Sequence, residues 1–137
     1  MFVVLFLHKS LDVQAQAEVA AVRTNLAVLR TAMVLEHIGQ KTTSQGMVVN
    51  LQRNPFLRLQ QLPGNYRGEN AVARIAGTGP GWYFDPACDC VAYLTANARF
   101  ASETGVSDLL LFRVDRSAGP TRLQALDRYS WQGQAVE

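Results

Sequence analysis

Two cysteines separated by one residue, Cys88 and Cys90, are the residues of this sequence with the clearest capacity for chemistry. A Cys-x-Cys pair supplies at most half of a zinc quartet, and no second pair exists to complete one. In an oxidising compartment the two sulfurs can close a very small ring across a turn; in a reducing one they remain two thiols. Residues two apart on an extended strand lie near the upper distance limit for a bridge, so closing the ring needs a tight turn. Strained bridges are also the ones that are readily reduced.

The other chemical candidates are thinner. His8 and His37 are the only histidines, and they lie far apart along what reads as one helix. They cannot share a small site within one chain, and read as helix-surface residues. Asp85, Asp89, Asp108, Asp115 and Asp127 are dispersed, and no loop supplies the clustered oxygens that calcium needs. The serines show no nucleophile-elbow pattern. The stretch GTGPG at 77–81 falls short of both a P-loop and a dinucleotide fingerprint, and reads as a turn. The expectation is therefore no catalytic residue, no metal and no cofactor. Net charge is +2, and Arg53, Arg58, Arg67 and Arg74 are scattered rather than clustered, so no nucleic-acid partner is predicted. Trp82, Tyr83 and Trp131 are the aromatic side chains that a ligand-binding surface would use, although a strand setting favours core packing for the first two.

The elements that must position these residues begin with one long stretch, residues 1–39. It opens with the apolar run MFVVLFL, carrying Phe2, Val3, Val4, Leu5, Phe6 and Leu7, with Leu11 a turn further on. It continues as an alanine-rich amphipathic segment in which Val19, Val22, Leu26, Leu29 and Met33 follow at alternating steps of three and four. That spacing predicts one apolar face of an α-helix, flanked by Val28 and Leu35 and wide enough to cover a sheet. Gly39 is the first helix breaker and stands where a C-terminal cap is expected. Asp12 and Glu18 toward the start, with Arg23 and Arg30 further on, suit the helix dipole only loosely. A single helix of this length would run roughly 58 Å at 1.5 Å per residue, longer than the remaining chain is wide when folded. The greasy end is thus expected to project.

MFVVLFL is far short of the about 20 apolar residues of a membrane span. As a signal peptide it lacks a basic leader, and His8, Lys9 and Asp12 intervene before the small-residue site Ala15-Gln16-Ala17. The reading that explains its smooth continuation into the amphipathic helix is the distal end of a longer hydrophobic helix.

Residues 40–137 read as a globular head, and 48% hydrophobic residues suffice for a core. Met47 to Leu51 is ambiguous. Asn54-Pro55 looks like a cap followed by a first helical residue, starting a short helix that ends near Gln61, before Pro63-Gly64. From Ala71 the periodicity shifts toward two. Pro80 to Asp85 and Val91 to Thr95 read as strands of a hairpin, with the cysteines at its turn. A loop runs from Asn97 to Ser107. Leu109 to Val114 reads as a third strand, Ser117 to Pro120 as a turn, and Arg122 to Trp131 as a fourth, longer strand. The tail from Gly133 reads as frayed. The fold class is α+β: a long N-terminal helix packed on a small antiparallel sheet.

This layout resembles that of type IV pilins and the pseudopilins of type II secretion. EVAAVRTNLAVLRTAMVLEHI is similar to the second half of a pilin helix. NPFLRLQQLPGNYRGE and PGWYFDPACDCVAYL are similar to the heads of pseudopilin-like proteins. The resemblance implies a structural subunit of a pilus or pseudopilus filament, anchored in the inner membrane by its N-terminal helix, with a periplasmic or extracellular head. Other pilin or pseudopilin subunits would be its partners, and the oxidising periplasm would favour a Cys88–Cys90 bridge. A separate reading is a solitary membrane-anchored binding module that recognises a secreted substrate or ligand.

Overall fold

The computed structural model describes residues 2–42, 54–103, 105–117 and 121–136, and the side chains of all of these except 2–12 and 36–42. Its first element, α1, spans Phe2–Thr42. Val19, Val22, Leu26, Leu29 and Met33 are all buried. The helix runs through Gly39 instead of ending there, because a glycine inside a helix lowers its stability without breaking its hydrogen bonds. Val28 and Leu35, expected to widen the buried stripe, are exposed. At about 100° per residue they point well away from its centre.

A 3-10 helix, Pro55–Arg58, follows with Asn54 as its cap and is shorter than the helix expected to reach Gln61. The Asn54 carboxamide oxygen accepts from the Phe56 N–H at 3.0 Å, and its NH2 donates to the Tyr66 hydroxyl at 2.7 Å. Then come β1 (Tyr66–Glu69), α2 (Val72–Ile75), β2 (Gly81–Asp85), β3 (Cys90–Leu94), β4 (Phe100–Ser102), β5 (Gly105–Ser107), β6 (Leu109–Asp115), β7 (Arg122–Ala125), β8 (Ser130–Trp131) and β9 (Gln134–Ala135). Among the described residues the strands form a five-stranded sheet in the order β1-β2-β3-β6-β7 and a four-stranded sheet in the order β5-β4-β8-β9. The chain is therefore α+β with one long N-terminal helix and mostly antiparallel sheets.

The hairpin of β2 and β3 pairs Trp82 with Tyr93 and Asp85 with Cys90. The expected all-antiparallel meander is corrected at β1, which runs parallel to β2 and reaches it through α2. α2 covers the sheet face opposite α1. Ile75 of α2 packs there with Tyr83, Ala92 and Leu94, whereas Trp82, Phe84, Val91, Tyr93, Leu110 and Phe112 belong to the core under α1. β2 and β3 are consequently buried along their whole length, which is why their sequences read as continuous apolar runs rather than alternations. The architecture has a helix on each face of the sheet, not the expected pair of layers.

The long strand expected over Arg122–Trp131 is broken. β7 stops at Ala125, and the chain re-forms as β8 in the other sheet. Continued alternation would have turned Asp127 inward with Leu123, and an unpaired carboxylate is costly to bury. Instead the Asp127 carboxylate accepts from the N–H groups of Glu103 and Arg128 at the surface. The break also carries Tyr129 into the core, where its hydroxyl accepts from the Leu111 N–H at 3.0 Å. The loop expected over 97–107 contains β4 and β5. The tail read as frayed is β9, joined to β8 by a turn in which Gln132 and Gly133 both have positive φ, as in a type I′ hairpin. Val136 is buried beyond it. The expected turn around 118–120 and the ambiguous piece Met47–Leu51 lie outside the described residues.

One glycine is required by the close approach of β1 to β2. Gly81 has φ +143°, and a Cβ there would lie 2.2 Å from the Asn65 carbonyl oxygen, the acceptor for the Trp82 N–H. Gly81→Ala should therefore destabilise the protein by more than about 1 kcal/mol, read as a lower midpoint in urea. An unchanged midpoint would mean that β1 does not sit where it is described.

Candidate functional site

α1 packs on the head along the described middle of its length. The buried stripe runs from Val19 to Met33, with Ala15 partly buried against it, while Val13 is 63% exposed. The helical backbone nevertheless continues N-terminally to Phe2. Phe2, Val3, Val4, Leu5, Phe6, Leu7 and Leu11 thus occupy helical positions N-terminal to the described side chains that pack on the head; their own side chains, and those of His8 and His37, lie outside the described set.

Polar residues on both flanks of the stripe fasten it down. On one flank the Glu18 carboxylate accepts from the Tyr93 hydroxyl at 2.6 Å and from the N–H groups of Ala96 and Asn97 at 2.6 and 2.9 Å, with Ala98 N–H a fourth donor. Three of these donors are successive backbone amides between β3 and β4, folded around one carboxylate. Burial pushes the Glu18 carboxyl up, but the hydrogen bonds from Tyr93, Ala98, Ala96 and Asn97 together outweigh it, so its pKa is lowered. Burial, and then the Glu18 hydrogen bond and charge, raise the Tyr93 phenol above its ordinary value, which keeps it a donor. On the other flank Arg23 donates to the Ala135 carbonyl and Arg30 to the Leu123 carbonyl, each at 3.2 Å. Of the charges read against the helix dipole, Glu18, Arg23 and Arg30 are therefore tertiary clamps. Nothing in the local pattern distinguishes them from surface charges.

Beyond the Glu18 flank lies an open groove of about 1270 Å³ between α1 and residues 57–64. Val28 and Leu35 line one wall and Leu57 and Leu62 the other, all more than 40% exposed. The sequence signal for it was present in the apolar residues beside the stripe, but those were read as core. The reverse holds for the aromatic candidates. Trp82 and Tyr83 are buried, Trp82 between Phe56 and Tyr93 with ring centroids 5.9 and 4.7 Å away. Neither offers a binding surface, and Trp131 is only partly exposed.

Cys88 and Cys90 are joined as a disulfide with their Cα atoms 5.3 Å apart. The tight turn that closure needs is supplied by Asp89, whose φ is +57°, a left-handed conformation that aspartate tolerates better than most residues. Among the described residues no three of His, Cys, Asp and Glu gather as a metal site would require, and no helix is both long and apolar enough to cross a membrane. Comparison of the chain with protein-family models, with curated proteins and with solved structures finds no match.

Proposed function

We propose that this protein is a pilin-like structural subunit that assembles through its N-terminal helix. The observation carrying this reading is the mismatch between α1 and the surface it covers. The helix spans Phe2–Thr42, and among its described side chains, 13–35, the buried stripe runs from Val19 to Met33. The preceding residues include seven apolar positions from Phe2 to Leu11. Such a helix lowers its free energy by packing against equivalent helices or by entering the apolar edge of a bilayer. In this reading the head faces the periplasm or the exterior, and its clamped helix–sheet junction transmits load between the assembling helix and the sheet.

A second reading, a solitary membrane-anchored binding module, draws its support from the groove lined by Val28, Leu35, Leu57 and Leu62.

Chemical crosslinking of the full chain on lipid vesicles separates the two. A subunit should give ladders of crosslinked species, and Leu5→Arg should weaken self-association about tenfold or more, equivalent to at least about 1.4 kcal/mol, without changing the melting of the head. Vesicle binding without ladders would favour the solitary module. Absence of both vesicle binding and ladders would overturn the assembly reading.

A further inference from the structure

The Cys88–Cys90 bridge closes over a single residue, inside a hairpin that β2 and β3 already hold in register from Gly81↔Leu94 to Asp85↔Cys90. A disulfide that staples a fold does so by restricting a long loop of the unfolded chain, and the effect shrinks with loop length. This bridge closes nearly the smallest loop available, so stapling is a weak account of it.

The turn is held by other contacts. The Asp85 carboxylate accepts from the Ala87 N–H at 2.8 Å and from the Val72 N–H at 2.9 Å. The Asp89 carbonyl accepts from the Val114 N–H at 2.8 Å. The Asp89 carboxylate pairs with Arg116, Nε to Oδ2 at 3.0 Å. None of these needs the sulfur–sulfur bond, so the two cysteines stay together when it is cut. The two sulfurs also differ in access: Cys88 is partly exposed, while Cys90 is buried at 2% exposure.

We propose that Cys88 and Cys90 form a thiol–disulfide exchange site, whose oxidised form accepts two electrons from a dithiol. A thiolate of the dithiol attacks the accessible Cys88 sulfur. The Cys88–Cys90 bond breaks, and its electron pair leaves on Cys90, which then takes up a proton. The second thiol of the dithiol, as thiolate, attacks its own sulfur in the mixed disulfide and releases Cys88 as a thiolate, which is protonated in turn. The dithiol ends as a disulfide and the protein as two thiols. Exchange of this kind depends on which sulfur can be reached, and the burial difference selects Cys88.

The test uses the native full chain, kept anaerobic, with dithiothreitol as the dithiol and glutathione as the monothiol probe. One equivalent of dithiothreitol should be oxidised per chain, two cysteines should become alkylatable, and the melting temperature should move by only a few degrees. With Cys90→Ser, oxidised glutathione should form a mixed disulfide at Cys88 at least about tenfold faster than at Cys90 in Cys88→Ser. Reduction that proceeds only in denaturant, or that collapses the melt, would make the bridge a staple and overturn the proposal. Thiols that fail to re-close in oxidised glutathione, or equal rates in the two serine variants, would overturn it as well.

Discussion

Leu29→Ala is expected to lower the stability of the protein by about 2–5 kcal/mol, as for other fully buried leucines. Leu29 has no exposed surface and sits in the middle of the stripe, in one core with Val22, Leu26, Phe112 and Leu123. The sheet beneath it is covered on its other face by α2, which limits how far the strands can move to fill the cavity. The loss is a large share of the about 5–15 kcal/mol that stabilises a domain, and at roughly 3 kcal/mol it would lower the melting temperature by roughly 10 °C. Leu5→Ala supplies the contrast. In the assembly reading Leu5 lies on the part of α1 that packs on other subunits, so its truncation should leave the head's melting within about 0.5 kcal/mol of the parent while weakening self-association on vesicles. Thermal melts of the two variants beside the crosslinking assay measure both effects. Equal destabilisation by the two substitutions would mean that the N-terminal half packs on its own head, and the assembly reading would lose its physical basis.

The second large effect is at Glu18. Removing its carboxylate leaves the buried Tyr93 hydroxyl and Ala98 N–H without their acceptor, while the Ala96 and Asn97 amides can turn to water. Hydrogen bonds to a charged acceptor contribute about 1.5–3 kcal/mol each, so, discounting the two exposed amides, the remaining two make Glu18→Ala cost about 3–6 kcal/mol. Glu18→Gln is also expected to destabilise, because its NH2 group would face a donor.

The lowered pKa of Glu18 adds a pH signature. The folded state holds the ionised form more tightly than the unfolded chain does. The contribution is therefore complete above the ordinary glutamate pKa, about 4.3, and is lost as pH falls through the lower folded value. Urea midpoints from pH 7 down to pH 3 should fall less steeply for Glu18→Gln than for the parent. Parallel profiles would show that the carboxylate is not held by these donors.

The sequence by itself determined the elements whose signal is local. The three-and-four spacing from Val19 to Met33 specifies a helical face in any context, and all five residues are buried. The strand-forming runs at Trp82–Asp85, Val91–Leu94 and Leu109–Val114 and the cap at Asn54 likewise depend only on near neighbours, and all appear in β2, β3, β6 and the 3-10 helix. Tertiary structure decided what each face meets. Glu18 reaches an amide 80 positions away, and no pattern around Glu18 encodes the loop that folds over it. Val28 and Leu35, read as widening the stripe, point well away from its centre and border a groove against residues 57–64 instead. The parallel placement of β1, the break of the last long strand at Asp127 and the strand in the tail follow from which backbone edges remained free and which carboxylates had to stay in water. Those conditions exist only once distant segments have come together, so a periodicity read over a few residues contains no trace of them.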